Sequence, residues 1–442
     1  MLGGWDTMEV QAMVQQLERT TLIPAEILPR VLGRYSPVVV DRGEGIYVWD
    51  IDGERWTDFT SGIAVTNTGH CHPRVVHAIQ DQAAKIIHAQ ANIFAHEPMM
   101  AAAVALTETL PANLNQVFWT NSGAEAIEGA LKLAKIATGR SAIIAFKGAF
   151  HGRTHAAMSV TSSRAKVRGH YEPLLPSVYY APYPYLFRSP YAGPIEDADL
   201  AYFRELETLF DQMVMPDDVA AILLETVAGE GGYLVPPARW LERIRALCDQ
   251  HGILLIMDEI QSGMGRTGKM WGFEHFPVVP DIMTVAKGIA SGMPVSAVVS
   301  SREIMNRWTP GSHGGTYGGN AVGTAAALAT LEVIRDEDLV GNAARMGGRL
   351  AAGLREIAAD HPVIGDVRGL GLMLAAEFVG TDGAPNPGAV QRVIDECLRR
   401  RLLLLSCGTY DQAIRIIPPL TVDGAQIDDF LVVFREAVAL AR

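Results

Sequence analysis

Short apolar runs alternate with amphipathic stretches through the middle of the chain. QVFWT (116–120), SAIIAF (141–146), VAAILLE (219–225) and ILLIMDE (253–259) are too short for buried helices and apolar almost throughout, which predicts strands covered on both faces. Between them the period changes. Ile127, Ala130, Leu131 and Ala134 recur at helical spacing and stop at Gly139; Leu241, Ile244, Leu247 and Cys248 do the same before Gly252. Strands of this kind alternating with helices predict an α/β fold, a mostly parallel sheet with helices on both sides.

Beyond GGTYGGNAVG the pattern becomes an Ala-rich helical region over about 320–360. Short strands follow at GLMLAAEF, RLLLLSC and AIRIIPPL, and a last helix runs through Ile427, Leu431, Phe434 and Val438. This reads as a smaller α+β domain. GIYVWDIDGERWTDF predicts a hairpin turning at Asp52-Gly53. The resulting division is an N-terminal segment, 1–70, packing with the small domain, a large domain over 71–325 and the C-terminal small domain over 326–442.

Composition narrows the function classes. With 49% hydrophobic and 19% charged residues the 442-residue chain is a globular protein with ample core. Its 37 basic and 49 acidic residues leave a net charge of −12, which argues against nucleic acid or a membrane surface as partner. The N-terminal MLGGWDTMEV stretch lacks a basic leader, no apolar run is long enough to span a bilayer, and the four cysteines form no CxxC pair. These features predict a cytoplasmic protein with reduced thiols.

In open parallel sheets ligands collect at the carboxyl ends of the strands. The polar residues that end apolar runs here are Thr120 to Ser122, Glu225, Asp258 with Glu259, and Lys287, in DIMTVAKGIASGMP. Ser122 and Glu125 have capping-box spacing; the same Gly-rich turn would present the amides of Gly123 and Ala124 to a phosphate. A carboxylate and an amine at neighbouring strand ends below such a turn describe a pyridoxal 5'-phosphate pocket, with Lys287 joined to the cofactor aldehyde as an imine and Asp258 paired with the ring nitrogen. GAFHGRT adds Phe150 to stack on a ring, His151 beside it, and Arg153 to take a carboxylate. Two other motifs point elsewhere but lack context. GMGRTGK (263–269) resembles a nucleotide loop, yet no long helix follows and Met270 stands where Ser or Thr is required. GHCHP reads as a turn before a helix rather than a metal site.

With NSGAEAIEGALKLAK, AFHGRTHAAMSVT, GEGGY, the 248–294 block around GILLIMDEIQSGMGRTG, GGTYGGN and VIGDVRGLGLML in this order, the chain resembles the class III aminotransferases of the fold-type I pyridoxal phosphate enzymes, most closely the bacterial 4-aminobutyrate branch. The resemblance implies that Lys287 shuttles the proton, Asp258 holds the ring nitrogen, Gln261 approaches the phenolic oxygen, and Ser122, Gly123, Ala124, Phe150 and His151 bind the cofactor. It implies that Thr316 reaches the phosphate of a neighbouring subunit, hence a homodimer, with a tetramer as a larger alternative. For substrates it implies Ile63 and Arg153 in the pocket, Arg415 for an α-carboxylate, Glu230 covering Arg415 when no such group is bound, and Glu225 behind them. The implied reaction moves the amino group of an ω-amino acid, 4-aminobutyrate above all, to 2-oxoglutarate. A racemase or epimerase of the same fold, or an acetylornithine, ornithine or 5-aminovalerate aminotransferase, are the alternatives. Thr226 and Ala321 replace prolines usual in the family, which bears on the amino donor and not on Lys287 or Asp258.

Overall fold

A computed structural model describes residues 29–191 and 195–441; the reading of the first 28 residues lies outside them. Three strands, β1 (Val40–Glu44), β2 (Tyr47–Asp50) and β3 (Arg55–Asp58), form an antiparallel ribbon. The β2–β3 hairpin turns at Asp52-Gly53 as expected, because the Asp50 carboxylate accepts from the amides of Asp52 (3.0 Å) and Glu54 (2.9 Å).

The central sheet has seven strands: β4 (Gln116–Thr120), β5 (Ala142–Lys147), β6 (Val178–Pro182), β7 (Val219–Glu225), β8 (Leu254–Asp258), β9 (Ile282–Val285) and β10 (Ser296–Ser300). Their spatial order is β4-β10-β9-β8-β7-β5-β6. Only β10 runs antiparallel to its neighbours. Both faces are buried, which explains why the strands carry no polar alternation. Ile143, Ala145, Ala221, Leu223 and Ile256 pack with the helix Gly123–Thr138, whereas Phe146, Ile222, Leu224 and Met257 join Trp240 and Leu241 of the helix Ala238–His251 on the other side. Gly139 and Gly252 end these helices in the left-handed conformation, where a side chain would be strained.

The C-terminal part has β11 (Ile364–Leu370), β12 (Met373–Phe378), β13 (Leu402–Leu403), β14 (Leu405–Cys407) and β15 (Ala413–Ile416). Four of these form the antiparallel sheet β11-β12-β15-β14, while β13 pairs parallel with β3 of the N-terminal ribbon. The single strand expected at RLLLLSC is therefore two, divided between two sheets. An unbroken apolar run carries no mark of that division, since both halves are covered. The Ala-rich region is likewise two helices, Ala321–Asp336 and Leu339–Asp360.

GMGRTG forms a series of turns rather than a nucleotide loop. Its Arg266 is fully buried and donates to the Leu372 carbonyl (3.2 Å), the Pro418 carbonyl and Asn67 Oδ1 (2.7 Å), tying the central region to both ends of the chain. Arg266→Leu leaves those acceptors without donors and should destabilise the fold by about 3 kcal/mol. The check is the urea unfolding midpoint, and an unchanged midpoint would contradict the stapling role.

Candidate active site

Strand register brings the chemistry together. Glu225 and Asp258 end adjacent strands and face each other across the β7–β8 ladder, while Asp258 lies opposite Thr284 on β9, three residues before Lys287. The segments leaving β4, β5, β8 and β9 close around a cavity of about 610 Å³. From these come Ser122, Gly123 and Ala124; Phe150, His151 and Arg153; Asp258 and Gln261; and Lys287, with Glu225 at the base.

Lys287 opens a short turn with a left-handed backbone, φ +48°, a costly state for a lysine that fixes where its side chain leaves the sheet. Burial pushes its amine below the ordinary lysine value, and Glu230, Asp258 and Glu225 oppose that shift. One oxygen of the Asp258 carboxylate accepts from the Ile260 amide (3.0 Å) and the Thr284 hydroxyl (3.2 Å). The other lies 2.7 Å from His151 Nδ1, and both side chains are nearly inaccessible. Glu225 accepts from the Phe150 and Gly229 amides, each at 2.9 Å. Burial, reinforced by the charge of Asp258, nevertheless lifts its carboxyl to about 7.

The capping box forms in a shifted version. Ser122 Oγ accepts from the Glu125 amide (3.2 Å), but Glu125 reaches back to the Asn121 amide (2.9 Å), one residue before the cap. Gly123 and Ala124, at the positive end of a 16-residue helix, line the cavity. The Arg153 guanidinium is exposed and lies 4.9 Å from the centroid of the Phe150 ring.

The remaining expected residues lie outside the cavity wall. Arg415, on β15, is 2% exposed and forms an ion pair with Glu230, 21% exposed. Burial works against the ionised state of Glu230, but Arg415 outweighs it and the carboxyl sits below its ordinary value. Both groups act on the titration of Lys287, so the pair belongs to the same electrostatic site. Ile63 sits in the turn Ser61–Ala64, whose four residues all have positive φ, and packs against the apolar cluster of Val227, Tyr233 and Cys407. Thr316 is exposed in the Gly311–Gly319 loop and does not line this chain's cavity.

Met293, Pro294 and Val295 also line the cavity and were not singled out from the sequence. They precede β10, the antiparallel strand, whose entry turn the rule of parallel strand ends does not cover. The SGMPVSA segment is the only signal that could have pointed to them.

Pyridoxal phosphate fits these residues. Gln261 has a buried amide oxygen and His151 a buried Nε2 without partners among the described residues. The helix amides suit a phosphate, the flat Phe150 ring a stacked heterocycle, and the Asp258 carboxylate a ring nitrogen.

The chain is similar to known proteins along nearly its whole length. The profile of class-III aminotransferases matches residues 31–438. The chain is 41% identical over 412 residues to the 5-aminovalerate aminotransferase DavT of Pseudomonas aeruginosa, covering 92% of this chain and 95% of that protein. It is 40% identical over 406 residues to the 4-aminobutyrate aminotransferase GabT of Escherichia coli K12, covering 91% and 94%. The crystal structure of a transaminase from the marine bacterium Virgibacillus superposes with a TM-score of 0.87 at 30% identity, over 97% of this chain and 99% of that one. With the profile spanning both the sheet edge that carries Lys287 and Asp258 and the strand that carries Arg415, the chain belongs to the class-III aminotransferases, enzymes that depend on pyridoxal phosphate.

Proposed function

We propose that this aminotransferase converts an ω-amino acid, 4-aminobutyrate in the first place and 5-aminovalerate as the nearest alternative, and returns the amino group to 2-oxoglutarate. With 4-aminobutyrate the products are succinate semialdehyde and glutamate. The observation that carries this reading is the buried Arg415 guanidinium, already neutralised by Glu230 beside Lys287. An ω-amino acid has no carboxylate on its reacting carbon, and an unpaired buried guanidinium would be costly, so Glu230 stays in place for that substrate. Glutamate and 2-oxoglutarate carry a carboxylate there and displace Glu230.

Pyridoxal phosphate, when bound, supplies a carbonyl carbon for the substrate nitrogen and a ring that withdraws electrons from the carbon bearing it. The chain does the rest. Lys287, its amine kept below the ordinary value by burial, would take up the proton of that carbon on its Nζ and release it again from the same atom. Asp258, oriented by His151, Thr284 and the Ile260 amide, would pair with the ring nitrogen. Arg153 would take the distal carboxylate, and Phe150, whose ring lies 4.9 Å from the Arg153 guanidinium, would stack on the cofactor ring.

The same reading includes a homodimer. Ile87, Ile93, Phe94 and Tyr317 are each more than 60% exposed, and a His88–Tyr317 ring contact at 5.3 Å joins their two segments into one apolar face that contains Thr316. A second copy covering this face would bring Thr316 to the partner's phosphate site.

Three outcomes test these statements. In a spectrophotometric half-reaction without oxo acid, 4-aminobutyrate should convert the cofactor to its amine form; Arg415→Ala should weaken the glutamate half-reaction by about 100-fold and the ω-amine half-reaction far less. Equal losses would sink the exchange of Glu230 for substrate, and a cofactor that responds only to α-amino acids would favour a racemase or α-aminotransferase. The Glu225 carboxyl titrates near 7 when folded, against an ordinary value of 4.5, so the folded state holds the extra proton between these limits. Its contribution is therefore fully present below about 4.5 and lost as pH rises through about 7. The urea midpoint of cofactor-free protein should fall over that window, and Glu225→Gln should flatten the dependence; parallel profiles would rule out the shift. Finally, Phe94→Glu should move the sedimenting species from dimer to monomer and loosen the cofactor, whereas a dimer that survives unchanged would place the interface elsewhere.

A further inference from the structure

The Gly229–Gly232 turn that carries Glu230 is held on several sides. The Gly229 amide donates to Glu225 Oε2 at 2.9 Å, and the Glu230 carbonyl accepts from the Gly408 amide at 3.0 Å. A Cβ on Gly229 would stand 2.9 Å from the Gln261 amide nitrogen. On the far side, Arg368 Nε donates to the Gly232 carbonyl at 2.7 Å, and a Cβ on Gly232, where φ is +120°, would stand 2.9 Å from Arg368 Nη2. The turn therefore has little room to shift as a unit.

Arg368 is itself locked. It pairs with Asp366 at 2.8 Å and with Glu377 at 2.6 Å. The Glu377 carboxylate is fully inaccessible and is also bound by Arg188 and the Tyr185 hydroxyl. Gln412 donates to that hydroxyl at 3.2 Å, and its amide lies against Gly408, the residue holding the Glu230 carbonyl. One network thus reaches the turn from both sides without touching the cavity.

We propose that Arg368 is a positioning residue for substrate discrimination: by clamping the Gly232 carbonyl it keeps the Glu230 backbone stationary, so Arg415 is covered and uncovered by rotation of the Glu230 side chain alone. This rests on the proposed displacement of Glu230 by a substrate carboxylate. A loosened turn holds Glu230 less firmly over Arg415. An acid that brings its own carboxylate to Arg415 gains from that, and one that relies on Glu230 loses.

The test uses two unreactive acids titrated into the pyridoxal phosphate-loaded enzyme, with binding read from the cofactor absorbance. Glutarate carries a second carboxylate for Arg415; valerate leaves Arg415 to Glu230. Arg368→Lys keeps the charge beside Glu377 but removes the Nε donor to Gly232. It should shift the ratio of the two dissociation constants by about tenfold in favour of glutarate, the size of one charge-assisted hydrogen bond. In a Glu230→Ala background the same substitution should leave the ratio unchanged. Equal changes for both acids, or the same shift without Glu230, would overturn the role. Should Arg368→Lys fail to fold, Gly232→Ala displaces the guanidinium by its methyl group and carries the same expectation. Neither acid donates an amine, so this outcome is separate from whether the wild type accepts an ω-amino acid.

Discussion

Taking the Lys287 amine out of water at the carboxyl edge of the sheet is the constraint around which the neighbouring side chains are arranged. Burial lowers its affinity for a proton, and three carboxylates, Glu230, Asp258 and Glu225, pull the other way. Each of them is restrained by a different device. Asp258 is tied to His151 and Thr284, Glu230 is paired with Arg415, and Glu225 holds a proton up to about 7 because burial outweighs its two amide donors. An amine in such surroundings gives up its proton more readily than one in water, so more of it is present as the free base that the proposed proton transfer needs.

Two buried guanidiniums show how differently the fold treats charge. Arg266 is held through its two terminal nitrogens by two backbone carbonyls and Asn67, with no carboxylate, and burial pushes it down to about 10. Those acceptors belong to three separate segments, so the arrangement is a fixed staple. Arg415 is instead paired through Nη1 with the Glu230 side chain, which is partly exposed. In the proposed reaction this pair is exchanged for a substrate carboxylate, so one site accommodates both a carbon that bears a carboxylate and one that does not.

Much of the central sheet was legible because burial on both faces leaves a local mark: QVFWT and VAAILLE are strands over the residues that pattern indicates, and Gly139 and Gly252 end the helices they were expected to end. The less regular parts were not. β10 runs against its neighbours, so its entry turn at Met293–Val295 follows no strand-end rule, and the RLLLLSC run gives no sign that it serves two sheets. The S-x-x-E spacing marked the helix start at Ser122 but not the shift of the Glu125 contact to Asn121, which depends on how the strand enters the turn.

By itself the sequence determined which residues are proposed to carry the chemistry, the lysine and carboxylates that end apolar strands and the Gly-rich turn that opens a helix, because burial periodicity and capping are properties of adjacent residues. Tertiary structure alone decided their geometry. The β7–β8 and β8–β9 registers set Glu225, Asp258 and Lys287 side by side, and the small sheet brings Arg415 to Glu230 and Arg368 to Gly232. The Arg415–Glu230 and Arg368–Gly232 pairings join residues more than a hundred positions apart, and no local pattern encodes a partner across that distance; only the packing of one sheet edge against another supplies it.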